Sequence, residues 1–181
     1  NSTGVCGVAG GSGKGDGVRM MSCQIFEGGT SGIESSAIAF QYAADNGACI
    51  AQCSFGYEGE GAAYGSDAEY SMVFGAEYDA IRYFMDPANN NSEILDGNLV
   101  IAAAGNDARN MSSYPAAVQE VISVTGLGPD YLPAVNYTNY GPGCNIAAPG
   151  GDYYIGNTVE VAQNRSRVLS TFINSVKDPN L

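Results

Sequence analysis

The chain has 181 residues and carries 7 Lys and Arg against 19 Asp and Glu, for a net charge of −12. A chain of that length makes one domain and buries about 70% of its unfolded surface. The charge repels phosphate backbones and anionic lipid, so no nucleic acid and no membrane is expected as a partner. No apolar run approaches the roughly 18 residues of a membrane span and no signal-peptide pattern opens the sequence, which reads as a soluble single domain over residues 1–181.

Gly10 to Gly17 imitates a phosphate loop but fails its pattern, because Lys14 is followed by Gly15 and Val8 stands where such a loop needs glycine. It reads as a surface loop. Val18 to Phe26 is a predicted first strand. Ile33 to Asn46 is a predicted helix with Ile33, Ala37, Phe40 and Ala44 on one face, capped at its start by Thr30 or Ser31 and closed by Gly47. Ala48 to Ser54 is a second strand. Tyr57 to Ser66, rich in Gly and Glu, exceeds the usual connection of about 2–6 residues and reads as a surface insertion.

Asp67 to Met85 is a second helix with Tyr70, Phe74, Tyr78, Ile81 and Met85 along its stripe, ended by Pro87 and Asn89 to Asn91. Strands follow at Leu99 to Ala104, Val121 to Thr125, Asn145 to Ala148 and Val168 to Thr171. Strand alternating with helix builds a parallel sheet with right-handed crossovers.

The five cysteines, Cys6, Cys23, Cys49, Cys53 and Cys144, are odd in number and lack C-x-x-C spacing, which argues against a zinc site or a complete disulfide framework. Cys23, Cys49 and Cys53 lie in strand-like runs and are expected as buried thiols. One disulfide remains open if the protein is exported, with no pair selected by the sequence. The sequons at Asn1, Asn110, Asn136 and Asn164 matter only in a eukaryotic secretory pathway.

The run Leu99 to Ala104 is apolar throughout, as in a strand covered on both faces, and it is followed by Gly105-Asn106-Asp107. Asn106 thus stands at the carboxyl end of a parallel strand, where open α/β sheets place their ligand sites. A carboxamide there can donate to a developing oxyanion. The same three residues are also good turn chemistry.

Several short motifs occur in order. They are Gly4 to Gly11 (Gly-Val-Cys-Gly-Val-Ala-Gly-Gly), Gly17 to Phe26, Tyr42 to Ala48, Ser54-Phe55-Gly56 and the Ala-Ala-Ala-Gly-Asn run ending at Asn106. After these come Tyr114-Pro115-Ala116-Ala117, Tyr137-Thr138-Asn139-Tyr140-Gly141 and Ala147-Ala148-Pro149-Gly150. In this order and spacing the set resembles the catalytic domain of the subtilisin-like serine proteases, the subtilases, from Asn1 to Thr171. The resemblance implies an α/β three-layer sandwich with a mostly parallel central sheet, and a parent endopeptidase that cleaves peptide bonds through a serine acyl-enzyme.

Family members carry an Asp in Asp-Ser/Thr-Gly, a His in His-Gly-Thr-His and a nucleophilic Ser in Gly-Thr-Ser-x-Ala/Ser-x-Pro. This chain has no histidine. It is therefore expected to be the segment between the family's His and Ser motifs, truncated at both ends and inactive alone. Gly29-Thr30-Ser31 spells the start of the nucleophile motif but continues Gly32-Ile33-Glu34-Ser35, without the later small residue and proline, and precedes Asn106 where the family's nucleophile follows it.

By resemblance Asn106 is the oxyanion-hole residue. An extended substrate would lie between Thr30-Ser31-Gly32 and Ser54-Phe55-Gly56 as an added strand. The specificity pocket would be walled by Ser54 to Tyr57 and by Ala103, Ala104, Gly105, Asn106 and Asp107, with Ser113 near its floor. The expected partner is a peptide or protein substrate. No cofactor is required. Asn1, Thr3 and Val5 match the family's structural calcium loop, although calcium needs about 6–8 oxygens, the remaining ligands would come from elsewhere, and a plain turn fits these residues too.

The resemblance also implies a secreted or cell-envelope location, and a truncated sheet should self-associate through its exposed edges. Two rival readings remain, a non-catalytic peptide-binding module and an assembly domain on the same fold. Roughly 60 residues of flanking sequence on either side would separate them, by the presence or absence of the His and Ser motifs.

Overall fold

The computed structural model describes residues 8–27, 30–31, 33–57, 65–89, 97–152 and 168. Its centre is a four-stranded parallel sheet of β3 (Ile50–Cys53), β4 (Leu99–Ala103), β5 (Ile122–Leu127) and β6 (Ile146–Pro149), in that spatial order. The registers Cys53↔Ala102, Ala103↔Val124 and Thr125↔Ala147 bring the carboxyl ends of the strands out on one side. The expected α/β fold with a parallel sheet is the fold observed.

The first predicted strand is not. Residues 18–25 have no regular structure, and only Phe26–Glu27 (β1) pairs, antiparallel, with Thr30–Ser31 (β2). A strand exists only as part of a ladder, and Val18, Met20 and Met21 are exposed with no described strand beside them. Thr30 and Ser31 therefore belong to β2, and Gly32, which separates them from the helix, lies outside the described residues.

Helix α1 (Ile33–Asp45) ends as expected at Gly47, whose φ of 79° lets its amide reach Ala44 O at 3.0 Å while Ala48 N reaches Ala43 O at 2.9 Å. The second predicted helix is two, α2 (Asp67–Val73) and α3 (Gly75–Met85), broken at Phe74. Phe74 leaves helical geometry at φ −119° and ψ 41°, just before a glycine of poor helix propensity. Ser66 caps α2 by accepting from Glu69 N at 3.3 Å.

Phe40 and Ala44 of α1, Tyr70 of α2, and Ile81 and Phe84 of α3 pack with Cys53, Val100 and Ala102 in one core. Each large apolar side chain so buried stabilises by about 1.5–3 kcal/mol. On the opposite face of the sheet Ile50 and Leu99 are exposed, at 52% and 38%. The remaining strands differ from expectation by one or two residues at their ends, and of the last predicted strand only Val168, which is irregular and exposed, is described.

Candidate functional site

Ala104 extends the pairing of β4 by one bond, its amide donating to Val124 O at 2.9 Å. Gly105 then turns the chain at φ 115°, a region closed to other residues, and a Cβ there would lie 2.8 Å from Ser113 Oγ and collide with Asn139 Nδ2. Asn106 follows at the exposed crest of the turn, and no described residue bonds its side chain. Asp107 is half-buried. Ala108, itself at φ 54°, donates to Tyr137 O at 2.9 Å.

The turn is closed from below by Asn139, which is fully buried. Its Nδ2 donates to Ala104 O at 3.0 Å and to Ser113 Oγ at 2.8 Å. Its Oδ1 accepts from the amides of Asp107 at 3.0 Å and Arg109 at 3.1 Å. Ser113 is buried, its amide donates to Ala104 O at 2.7 Å, and its hydroxyl makes a long 3.5 Å contact with Asp107 Oδ2. Ala103, Ala104, Gly105, Asn106, Asp107 and Ser113 are thus brought together, and one side-chain amide that the sequence reading left without a role bonds Ala104, Asp107 and Ser113.

Because β3 and β4 run parallel, Ser54-Phe55-Gly56 leaves the sheet on the same side as Asn106. Gln52 Nε2 donates to Ser54 Oγ at 2.5 Å. Gly56 passes so close to Tyr114 that a Cβ would sit 3.0 Å from its carbonyl oxygen, and Tyr57 N donates to that oxygen at 3.1 Å. The Phe55 ring meets Phe26 edge to face, centroids 6.3 Å apart, which ties β1, the partner of Thr30 and Ser31, to the exit of β3.

Beneath Gly56, Tyr57 stacks on Phe74 at 4.1 Å and donates to Glu77 Oε2 at 3.0 Å. Glu77 is buried and also accepts from Ser36 Oγ at 2.5 Å and from the Tyr70 hydroxyl. Burial first and then Glu77 push the Tyr70 hydroxyl well above its usual range, and the same two causes push the Cys53 thiol up to about 12. Burial and the bond to Asp67, at 2.9 Å, likewise raise Tyr114.

The sequence carried a signal for Glu77. It falls between Phe74 and Ile81 on the apolar stripe of α3, where a carboxylate needs partners.

Cys23 is exposed rather than buried, because the strand expected to enclose it does not form. Cys49 is only half-buried and Cys53 alone of the three is buried. Gly32 and the calcium-loop residues Asn1, Thr3 and Val5 lie outside the described residues. Among the described residues no three His, Cys, Asp or Glu side chains group to hold a metal, and no helix is long and apolar enough to cross a membrane.

The sequence model of the subtilase family, peptidase S8, matches residues 2–178. The chain belongs to the subtilase family. This subtilase chain is 28% identical over 153 residues to the thermophilic serine proteinase of Bacillus sp. (strain AK1), covering 84% of the chain and 31% of that protein. It is 43% identical over 56 residues to the halolysin-like extracellular serine protease Nep of Natrialba magadii, 31% of the chain and 10% of the relative. The solved structure of the prenylagaramide maturation protease PagA superposes with a TM-score of 0.52 at 26% identity, over 71% of this chain and 41% of its own. The subtilase chain therefore spans 31% or less of these curated relatives and 41% of that solved chain.

Proposed function

We propose that this chain is the substrate-cradling centre of a serine-type endopeptidase, with Asn106 donating to the oxyanion of the tetrahedral intermediate. The observation that carries the reading is the exposed Asn106 side chain, bonded by none of the described residues, on a turn fixed on both sides by hydrogen bonds to buried Asn139. A preorganised donor of this kind acts on charge that develops only in the transition state. An extended peptide would pair with Thr30-Ser31-Gly32 and Ser54-Phe55-Gly56, and its P1 side chain would enter between Ser54 to Tyr57 and Ala103 to Asp107 with Ser113 below.

With no histidine in the chain, the general base has to come from elsewhere in the parent protein, and the 181 residues alone are inactive in this reading. The word extracellular in the name of the Natrialba relative supports an exported parent. The exposed Ile50 of β3, an edge strand of the described sheet, supports self-association of the isolated chain through the exposed edges of its sheet.

The test is Asn106→Ala in the complete protease, assayed on a peptide amide. The expected result is a fall in kcat of about 10²–10³ with little change in KM. A loss below about tenfold would remove Asn106 from the oxyanion hole.

A further inference from the structure

We infer that Asn139 is the positioning residue of the oxyanion turn, an inference that rests on reading Asn106 as the oxyanion donor. Asn139 lies 33 positions after Asn106 in the sequence, yet every hydrogen-bonding capacity of its side-chain amide is spent on the residues that flank Asn106 or support them. Both Nδ2 protons are used, on Ala104 O and Ser113 Oγ, and Oδ1 takes the amides of Asp107 and Arg109. The main-chain amide of Asn139 adds a bond to Gly105 O at 2.9 Å. The span from Ala104 to Arg109 is therefore pinned before and after Asn106, with Asn106 at its free crest.

Asn139 is itself held from the sheet. Its carbonyl oxygen accepts from Thr125 Oγ1 of β5 and from Thr138 Oγ1 at 3.2 Å. The position of the crest is thus referred to β5, next to β4, and not to the turn alone.

Leucine at this position has the size but no polar atoms, aspartate would set a carboxylate oxygen against the Ala104 carbonyl and lose both donors, and glutamine would carry its amide one methylene further from its backbone than the present bonds allow. Because a misplacement of about 1 Å at a reacting centre costs on the order of 10²-fold in rate, a residue that fixes the crest acts on kcat without touching substrate.

The experiment is a double-mutant cycle in the complete protease, measuring kcat and KM on a peptide amide for Asn139→Asp, Asn106→Ala and the pair. Asn139→Asp alone is expected to lower kcat by about 10–100-fold with KM within about threefold. In the Asn106→Ala background the same substitution is expected to change kcat less than about threefold, since the donor it positions is already gone. Equal losses in the two backgrounds would overturn the inference and leave Asn139 a purely structural residue, with the oxyanion reading intact. An unchanged kcat for Asn106→Ala would overturn the oxyanion reading itself and this inference with it. If Asn139→Asp does not fold, Asn139→Ser, which keeps a hydroxyl donor and acceptor, runs the same cycle with the same criterion.

Discussion

Replacing Gly105 with alanine tests how tightly Asn139 is seated against the turn, and Gly47 supplies the control. Both glycines have positive φ, 115° and 79°, so alanine is strained at either position. They differ in surroundings. Nothing lies within 4 Å of a Cβ at Gly47, whereas at Gly105 it would collide with Asn139 Nδ2 and come within 2.8 Å of Ser113 Oγ. Gly47→Ala should therefore cost only the left-handed strain, about 1–2 kcal/mol.

Gly105→Ala adds a worse backbone region, about 1–3 kcal/mol, and disturbs the two bonds from Nδ2, each worth about 0.5–1.5 kcal/mol, for about 2–6 kcal/mol in all. At about 2–4 °C per kcal/mol for a chain of this size, Tm should fall by about 4–24 °C for Gly105→Ala and by about 2–8 °C for Gly47→Ala. Urea unfolding followed by circular dichroism gives the same ordering in midpoint if the slope is unchanged. Adding Asn139→Ala to Gly105→Ala should then cost less than the sum of the two, since the collision is gone. A Gly105→Ala loss no larger than that of Gly47→Ala would refute the close seating of Asn139, and with it the argument that the missing Cβ is what admits the clamp.

Two further outcomes follow from the site. The Cys53 thiol is pushed up to about 12 from a usual 9.0, so its contribution to stability is complete below about pH 9 and is lost as pH rises toward 12. Tyr70 and Tyr114 are raised too and add to the alkaline loss. Cys53→Ala should make the fall in urea midpoint between pH 9 and pH 11 shallower, and at pH 8 a maleimide should label exposed Cys23 but not native Cys53; rapid labelling of Cys53 would contradict its burial. In the complete protease, large apolar P1 residues should lead because filling the pocket is worth about 1.5–3 kcal/mol. Asp107→Asn should lower the P1 Lys-to-Phe ratio by up to about fivefold, the equivalent of about 1 kcal/mol for a half-buried charge. An unchanged ratio would take Asp107 out of the pocket.

What the sequence disclosed follows from how far each signal reaches along the chain. Leu99 to Ala104 was legible as a strand because a run of apolar residues needs no knowledge of its neighbours, but not its coverage: only the Val100 and Ala102 face is buried, and Leu99 and Ala103 on the other face are exposed. Gly47 was legible because a cap is decided by the residues it closes. Val18 to Phe26 carries strand-like residues, but a strand is a property of two segments, and the pairing that formed is only Phe26–Glu27 with Thr30–Ser31. The error over Cys23 is the same error, since its burial was inferred from a sheet it does not join. The apolar stripe from Tyr70 to Met85 ran on through Phe74 because periodicity does not register one residue leaving the helix, and here that residue is the one that stacks on Tyr57.

The polar residues that hold the site were least legible for the opposite reason. Glu77 meets Ser36 from 41 positions away, and Asn139 meets Ala104 from 35. A buried polar group is tolerated only when its partners are present, and those partners are fixed by the fold rather than by neighbours in sequence. Asn106 could be singled out because it ends a strand. Asn139, which bonds the residues on either side of Asn106, sits in a loop of ordinary turn residues and becomes visible only when β5 and the turn after β4 are side by side. The exposed Asn106 and the buried Asn139 are thus read by different means, one from local pattern and the other from packing.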